Sequence, residues 1–159
     1  MSGAALYRTP IHGDWIDYNG HLRDAYYGLI VSLATDELMD RLGIDASYRQ
    51  SSGNTLYTLE LHMHFLREVK QSDIVQVTVR ILGSDTKRIH AALDLNCEGR
   101  SEPAATAEIM LLHVHQGDAP AAQPFPAPIA AALAKFALTH GALAPGIPGS
   151  RRMELRSRS

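Results

Sequence analysis

The segment Asp14-Trp15-Ile16-Asp17-Tyr18-Asn19-Gly20-His21-Leu22-Arg23-Asp24-Ala25-Tyr26-Tyr27 carries the chemistry most legible in this chain. It sets a carboxylate, Asp17, in a polar, Gly-containing loop that runs into the start of an apolar helix. A helix start presents unpaired backbone N–H groups and partial positive charge. Such donors can hold an oxyanion while a nearby carboxylate attacks a polarised carbonyl or activates water. Spacing alone leaves a second reading open, in which Asp17 only accepts N–H groups of its own turn. Trp15, Tyr18, Tyr26 and Tyr27 crowd the same stretch, in a chain with only 6% Phe, Trp and Tyr.

Other chemistry-bearing types are more scattered. His62/His64 and His113/His115 are His-x-His pairs, a spacing that puts both rings on one strand face and can bind metal. No Cys or further ligand clusters with either pair, so an exposed sheet face and no metal are expected for both. Arg67 and Lys70, and Lys87 and Arg88, make two basic clusters beside strand ends. They suit an anionic ligand or ordinary surface charge. Asp36 and Glu37 lie over three helical turns beyond Asp24, about 20 Å for Glu37 at 1.5 Å per residue, and read as solvated. There is no Gly-x-Ser-x-Gly elbow, no Gly-x-Gly-x-x-Gly and no phosphate-binding Lys-Ser/Thr loop, which disfavours serine hydrolases, dinucleotide oxidoreductases and nucleotide hydrolases.

The positioning elements follow from periodicity. Residues 5–12 read as a strand, 13–22 as the loop and 23–42 as a helix closed by Gly43. From Ala25 to Ala34 that helix is apolar on nearly every face, which predicts enclosure by other structure. Its second half, with Asp36, Glu37, Asp40 and Arg41, should reach solvent. Residues 45–54 read as a loop. Residues 55–67, 73–83, 87–98 and 104–115 alternate apolar and polar, the period of half-buried antiparallel strands. In the first of these, Tyr57, Leu59, Leu61, Met63 and Phe65 share one face and Glu60, His62 and His64 the other. Residues 116–128 read as a linker closing a domain of residues 1–128, residues 129–141 as a C-terminal surface helix, and 142–159 as a disordered tail. The expected fold class is α+β, a curved antiparallel sheet wrapped around one central helix. Open strand edges on such a sheet predict pairing with a second copy.

Length and composition set outer bounds. A chain of 159 residues suits one domain. The formal net charge of -2 divides into +3 in residues 144–159, which hold Arg151, Arg152, Arg156 and Arg158 against Glu154, and -5 elsewhere. Nothing there suggests a general nucleic-acid binder. Cys97 is the only cysteine, which excludes an internal disulfide and fits a reducing cytoplasm. The first residues do not read as a signal peptide, and no apolar run approaches the ~18 residues of a membrane span.

The string Asp17-Tyr18-Asn19-Gly20-His21, the helix Asp24–Leu42 and Phe65-Leu66-Arg67 leading to Ser72-Asp73 resemble the hotdog-fold acyl-CoA thioesterases of the hydroxybenzoyl-CoA thioesterase type. The family pattern, an Asp with a Gly three residues on and then a helix, is matched by Asp17 and Gly20, and the likeness covers roughly residues 5–115. Tyr18-Asn19-Gly20-His21-Leu22-Arg23-Asp24-Ala25-Tyr26-Tyr27-Gly28 and Ala34-Thr35-Asp36-Glu37-Leu38-Met39-Asp40-Arg41-Leu42-Gly43 are similar to the branch acting on betainyl-CoA in carnitine breakdown. The resemblance implies that Asp17 is nucleophile or general base and that an amide at the helix start, preferably of Asp24, polarises the thioester carbonyl. His21 could orient Asp17, hold the oxyanion or protonate the thiolate, or simply pack and bond the loop backbone; Asn19 and Gly20 are candidates for the substrate-binding loop, with Asn19 also read as shaping the turn.

A betaine headgroup is a quaternary ammonium, which aromatic faces attract. Trp15, Tyr18, Tyr26, Tyr27 and Tyr57 are the candidates for such a cage, with packing into the core as the other reading. Arg67, Lys70, Lys87 and Arg88 are candidates for the CoA phosphates, some across a subunit boundary. CoA is part of the substrate, and the chemistry requires no metal or other cofactor. A homodimer or homotetramer is expected. Two alternatives stay open: a thioesterase for another short or aromatic acyl-CoA, and a non-catalytic acyl-CoA-binding module. A dehydratase of the same fold fits the motif less well.

Overall fold

In a computed structural model, residues 5–140 are described. The elements are β1 (Tyr7–Pro10), α1 (Asp24–Leu42), α2 (Ala46–Ser52), β2 (Asn54–Phe65), β3 (Ile74–Ser84), β4 (Arg88–Cys97), β5 (Ala105–His115), β6 (Ala121–Ala122) and α3 (Ala127–His140). One antiparallel sheet runs β1-β3-β4-β5-β2, with the short β6 on β5. The expected strands are all present. The disordered tail expected at 142–159 lies outside the described residues.

Cross-strand partners lie on the same face of an antiparallel sheet. The alternation of valines and leucines therefore makes one apolar layer. Val77, Leu95 and Ala105 are in register, as are Val79, Leu93 and Ala107, and all are buried. Against this layer α1 lays Tyr27, Ile30, Val31, Ala34, Leu38, Met39 and Leu42, the three-and-four spacing of a single helical face. The opposite face, with Ala25, Leu29, Ser32 and Asp36, is exposed. Within one chain α1 is thus covered on one side, where the sequence predicted enclosure.

Four further features differ from expectation. Residues 46–52 form α2 rather than loop. Asp45 caps it by accepting the Tyr48 N–H at 2.8 Å, the ordinary N-cap bond. Helix α3 is not confined to the surface: Ile129 and Leu133 are buried in the core cluster. His113 is fully buried, where an exposed sheet face was expected. Its Nδ1 lies 2.9 Å from the Gln123 carbonyl oxygen and its Nε2 2.9 Å from the Tyr48 hydroxyl, so its polar atoms are matched inside the fold. His115 beside it is exposed and bonds Asn54.

The fourth is a β-bulge. Thr58 pairs Leu111 but Glu60 pairs Met110, so Leu59 is an extra residue in β2. An added residue reverses which side chains face inward. Leu56 opposes buried His113, and Leu61, Met63 and Phe65 oppose the buried Ile109, Ala107 and Ala105. Tyr57, opposite Leu112, shares the outer face with Glu60, His62 and His64. Its expected placement with Leu61, Met63 and Phe65 is corrected.

Candidate active site

The Asp17 loop is clamped at both ends. A 3-10 turn at Gly13–Trp15 leads in. The Arg23 N–H donates to the Trp15 carbonyl at 2.9 Å, the Leu22 N–H to Val69 at 2.7 Å and the Asp17 N–H to His21 at 2.8 Å. Between Asp17 and His21 the chain reverses through Gly20 at φ 80°, a left-handed conformation that glycine adopts without steric cost. Asp17 Oδ1 accepts the N–H groups of Asn19 (2.8 Å) and His21 (3.2 Å), and no second bond engages Oδ2 among the described residues. Both sequence readings of Asp17 are therefore compatible: one oxygen holds the turn and the other is free. The His21 N–H first, and then the Asn19 N–H with the His21 and Arg23 charges, hold its carboxyl below the usual carboxylate range against a smaller opposing effect of burial.

At the start of α1 the two candidate donors are distinguished. The Arg23 N–H is taken by Trp15. The Asp24 N–H meets no acceptor among the described residues, while the Asp24 side chain turns back to its own helix and accepts the Ala25 N–H at 2.9 Å. Asp17 and Asp24 line one open cleft of about 550 Å³ with Tyr18, His21, Leu22, Arg23, Tyr27, Phe65, Leu66, Arg67 and Glu68. A free carboxylate oxygen and a free helix-start amide on one cleft constitute the parts for acyl transfer.

The aromatic set differs from the expected one. Tyr18 and Tyr27 line the cleft. Trp15 and Tyr26 do not: they stack on each other at 5.4 Å and 17°, packed against the core, with His12 edge-on to Trp15. Tyr57 is on the outer face of β2. In their place the cleft has Phe65, perpendicular to Tyr27 at 5.1 Å. Burial pushes the Tyr27 hydroxyl's pKa up.

Glu68 is the other residue that motif reasoning missed. Its Oε2 lies 3.0 Å from His21 Nε2, and only the fold brings residue 68 beside residue 21.

Of the basic candidates only Arg67 lines the cleft, and it is ion-paired to Glu102. Lys70 is exposed next to it, its backbone bridged to His21. Lys87 and Arg88 lie at the far end of β4 from Leu95, which is in register with Ala105 and Phe65. Seven residues of strand, roughly 23 Å, separate them from the cleft of their own chain. There Asp85 caps the turn and pairs with Arg88, its pKa lowered to about 2, first by the Lys87 N–H and then by the Arg88 side chain. Glu37 pairs with Arg41 and is outside the cleft. No group of three or more His, Cys, Asp or Glu among the described residues is arranged to hold a metal.

This fold with this site defines a hotdog-fold thioesterase, and comparison with known proteins agrees. The chain belongs to the thioesterase-like superfamily, whose family profile matches residues 11–133. It is 45% identical over 137 residues to betainyl-CoA thioesterase of Pseudomonas aeruginosa, covering 86% of each chain. It is 43% identical over 111 residues to L-carnitine dehydrogenase/betainyl-CoA thioesterase of Agrobacterium fabrum, 69% of this chain but 22% of that longer protein. Among solved structures, a Pseudomonas putida KT2440 protein assigned as a thioesterase superposes with a TM-score of 0.86 at 45% identity over 99% of both chains. A Staphylococcus aureus protein solved in complex with CoA gives 0.89 at 25% identity over 98% of both.

Proposed function

We propose that this thioesterase hydrolyses betainyl-CoA to glycine betaine and CoA. The observation that carries the chemistry is the pairing of Asp17 Oδ2 and the Asp24 N–H, both unpartnered, on one cleft. The thioester carbonyl oxygen accepts the Asp24 N–H, which strengthens as the oxygen gains charge. Asp17 then acts in one of two ways. As base it takes a proton from water, the hydroxide adds to the carbonyl carbon and the C–S bond breaks. As nucleophile it forms an Asp17 anhydride, with loss of CoA thiolate, and water then cleaves the anhydride. In both, thiolate is a competent leaving group and picks up a proton, with His21 of the same cleft as the candidate donor. Asp24 thus contributes its amide rather than its carboxylate. The acyl group is assigned from the Pseudomonas aeruginosa relative, 45% identical over 137 residues and 86% of each chain.

The catalytic unit is a homo-oligomer, a dimer or a tetramer. Strand β2 is an open edge of the sheet, and outside the cleft it exposes Leu59 and Leu61, an apolar edge that a monomer rarely leaves bare. Antiparallel pairing of two β2 edges would carry Tyr57, Lys87 and Arg88 of one protomer towards the cleft of its partner. There the two cations join Arg67 and Lys70 around the CoA phosphates. The reaction uses only water besides substrate and takes place in the cytoplasm, where CoA esters are found and Cys97 stays reduced.

The test is steady-state CoA release from betainyl-, acetyl-, hydroxybenzoyl- and medium-chain acyl-CoA. The proposal predicts the highest kcat/KM for betainyl-CoA. Preference for another thioester would overturn the substrate, and binding without release from any would overturn catalysis.

A further inference from the structure

We infer that Tyr27, Phe65 and Glu68 form the subsite that reads the positive charge of the acyl group, an inference resting on the betainyl-CoA reading. Tyr27 comes from the Asp17 segment, while Phe65 and Glu68 are placed by the fold rather than by a motif. Phe65 ends the part of β2 that the Leu59 bulge turns inward, and its ring is braced edge-to-face by Tyr27. Phe65 lines the cleft and is 55% exposed, which leaves ring surface for a ligand. Glu68 follows on a short, heavily tied loop. The N–H groups of Leu66 and Arg67 both donate to Ala104, and the Glu68 carbonyl accepts Arg100 Nη1 at 2.9 Å. Arg100 is itself held by both oxygens of Asp73 at 2.9 and 2.8 Å. The backbone under Glu68 is therefore fixed, while its carboxylate stays exposed on the cleft with His21 as its one ion-pair partner among the described residues.

A trimethylammonium cannot donate a hydrogen bond. It is recognised by aromatic faces and by negative charge nearby. The cleft offers three carboxylates, Asp17, Asp24 and Glu68, against the guanidiniums of Arg23 and Arg67, and Arg67 is neutralised by Glu102. Asp17 is committed to the reacting carbonyl and Asp24 to its own helix turn. Glu68, one imidazole away from the Asp17 turn, is the carboxylate left to face the cation. The short linkage in betaine, a single methylene between nitrogen and carbonyl, requires the cation site to lie within the same cleft as Asp17, and these residues do.

The distinguishing probe is 3,3-dimethylbutanoyl-CoA, the neutral isostere in which carbon replaces the ammonium nitrogen. In wild type kcat/KM should favour betainyl-CoA over this ester. In Glu68→Gln and in Phe65→Leu that ratio should fall by roughly three- to tenfold, the scale of exposed cation–π and charge contacts, over and above any loss the two esters share. Phe65→Leu keeps the test available if Glu68→Gln folds poorly. Equal loss on both esters in Glu68→Gln would make Glu68 a positioning residue for His21 and overturn the inference, as would an unchanged ratio in both variants. Failure of wild type to hydrolyse betainyl-CoA at all would instead overturn the substrate reading, and the inference with it.

Discussion

In Asp17 the proposed chemistry and an observed structural role fall on one carboxylate. Its Oδ1 accepts the two N–H groups that shape the Gly20 turn, and these donors favour the ionised form. A folded-state pKa below the reference means that the charged form persists as pH falls. The acid limb of kcat/KM that belongs to Asp17 should therefore lie below pH 3.8, the group's reference value. A pH profile between 3 and 7, taken with a stability check at each point, measures it; an acid limb centred well above 4 would contradict the ionisation described. The Asp24 amide can be tested with equal directness. Asp24 is the first residue of α1 and Arg23 before it has φ -65° and ψ 140°, a conformation suited to the residue preceding proline. Proline is accepted at a first helical position, where its missing N–H breaks no helical bond. Asp24→Pro should thus keep the helix and lower kcat by about 100- to 1,000-fold, the effect of losing one oxyanion donor. Asp24→Asn should stay within a few-fold of wild type. Matching losses in the two variants would point to the carboxylate instead.

At the scale of elements, what was legible in the sequence is what depends on local periodicity. The long helix, its Gly43 stop and the four long strands repeat at the spacing of their own structure. The Asp17 loop was legible because its chemistry lies within one contiguous segment. What was hidden depends on partners far along the chain. Leu59 becomes a bulge only through its register with β5, and that single residue moved Tyr57 out of the aromatic set. Trp15 and Tyr26 are eleven residues apart in sequence, and stacking removes both from the cleft. Phe65 and Glu68 line the cleft only because the end of β2 returns beside α1. Helix α2 was missed because seven residues give too little periodicity and its signal is a lone cap at Asp45. His113 looked like an exposed strand histidine, yet Tyr48 of that unrecognised helix and the Gln123 carbonyl provide its partners. His113→Phe should lose both buried-histidine hydrogen bonds, while the Tyr48 hydroxyl still accepts Asn54 Nδ2, and destabilise the fold by about 1–3 kcal/mol. Urea denaturation would register this as a lower midpoint with similar slope; an unchanged midpoint would show that the buried network contributes no stability.

For the whole molecule, the apolar layer between sheet and α1 explains a stable single chain, but not the surface it leaves. The β2 edge with Leu59 (54% exposed) and the bare side of α1 with Leu29 (38% exposed) are the apolar surfaces that the proposed second copy would cover. Light scattering on purified protein should give at least twice the 17.4 kDa of one chain. Leu59→Glu, outside the cleft, should shift the mass towards one chain and reduce turnover if Lys87 and Arg88 act on the partner's substrate. A wild-type monomer with full activity would overturn the shared site. The central claim, however, is that Asp17 drives thioester cleavage. The measurement bearing on it most directly is the rate of CoA release from betainyl-CoA by Asp17→Asn beside wild type, with circular dichroism confirming the fold. A fall of at least about 100-fold, the scale of general acid–base catalysis, is the predicted result; turnover within a few-fold of wild type would contradict it.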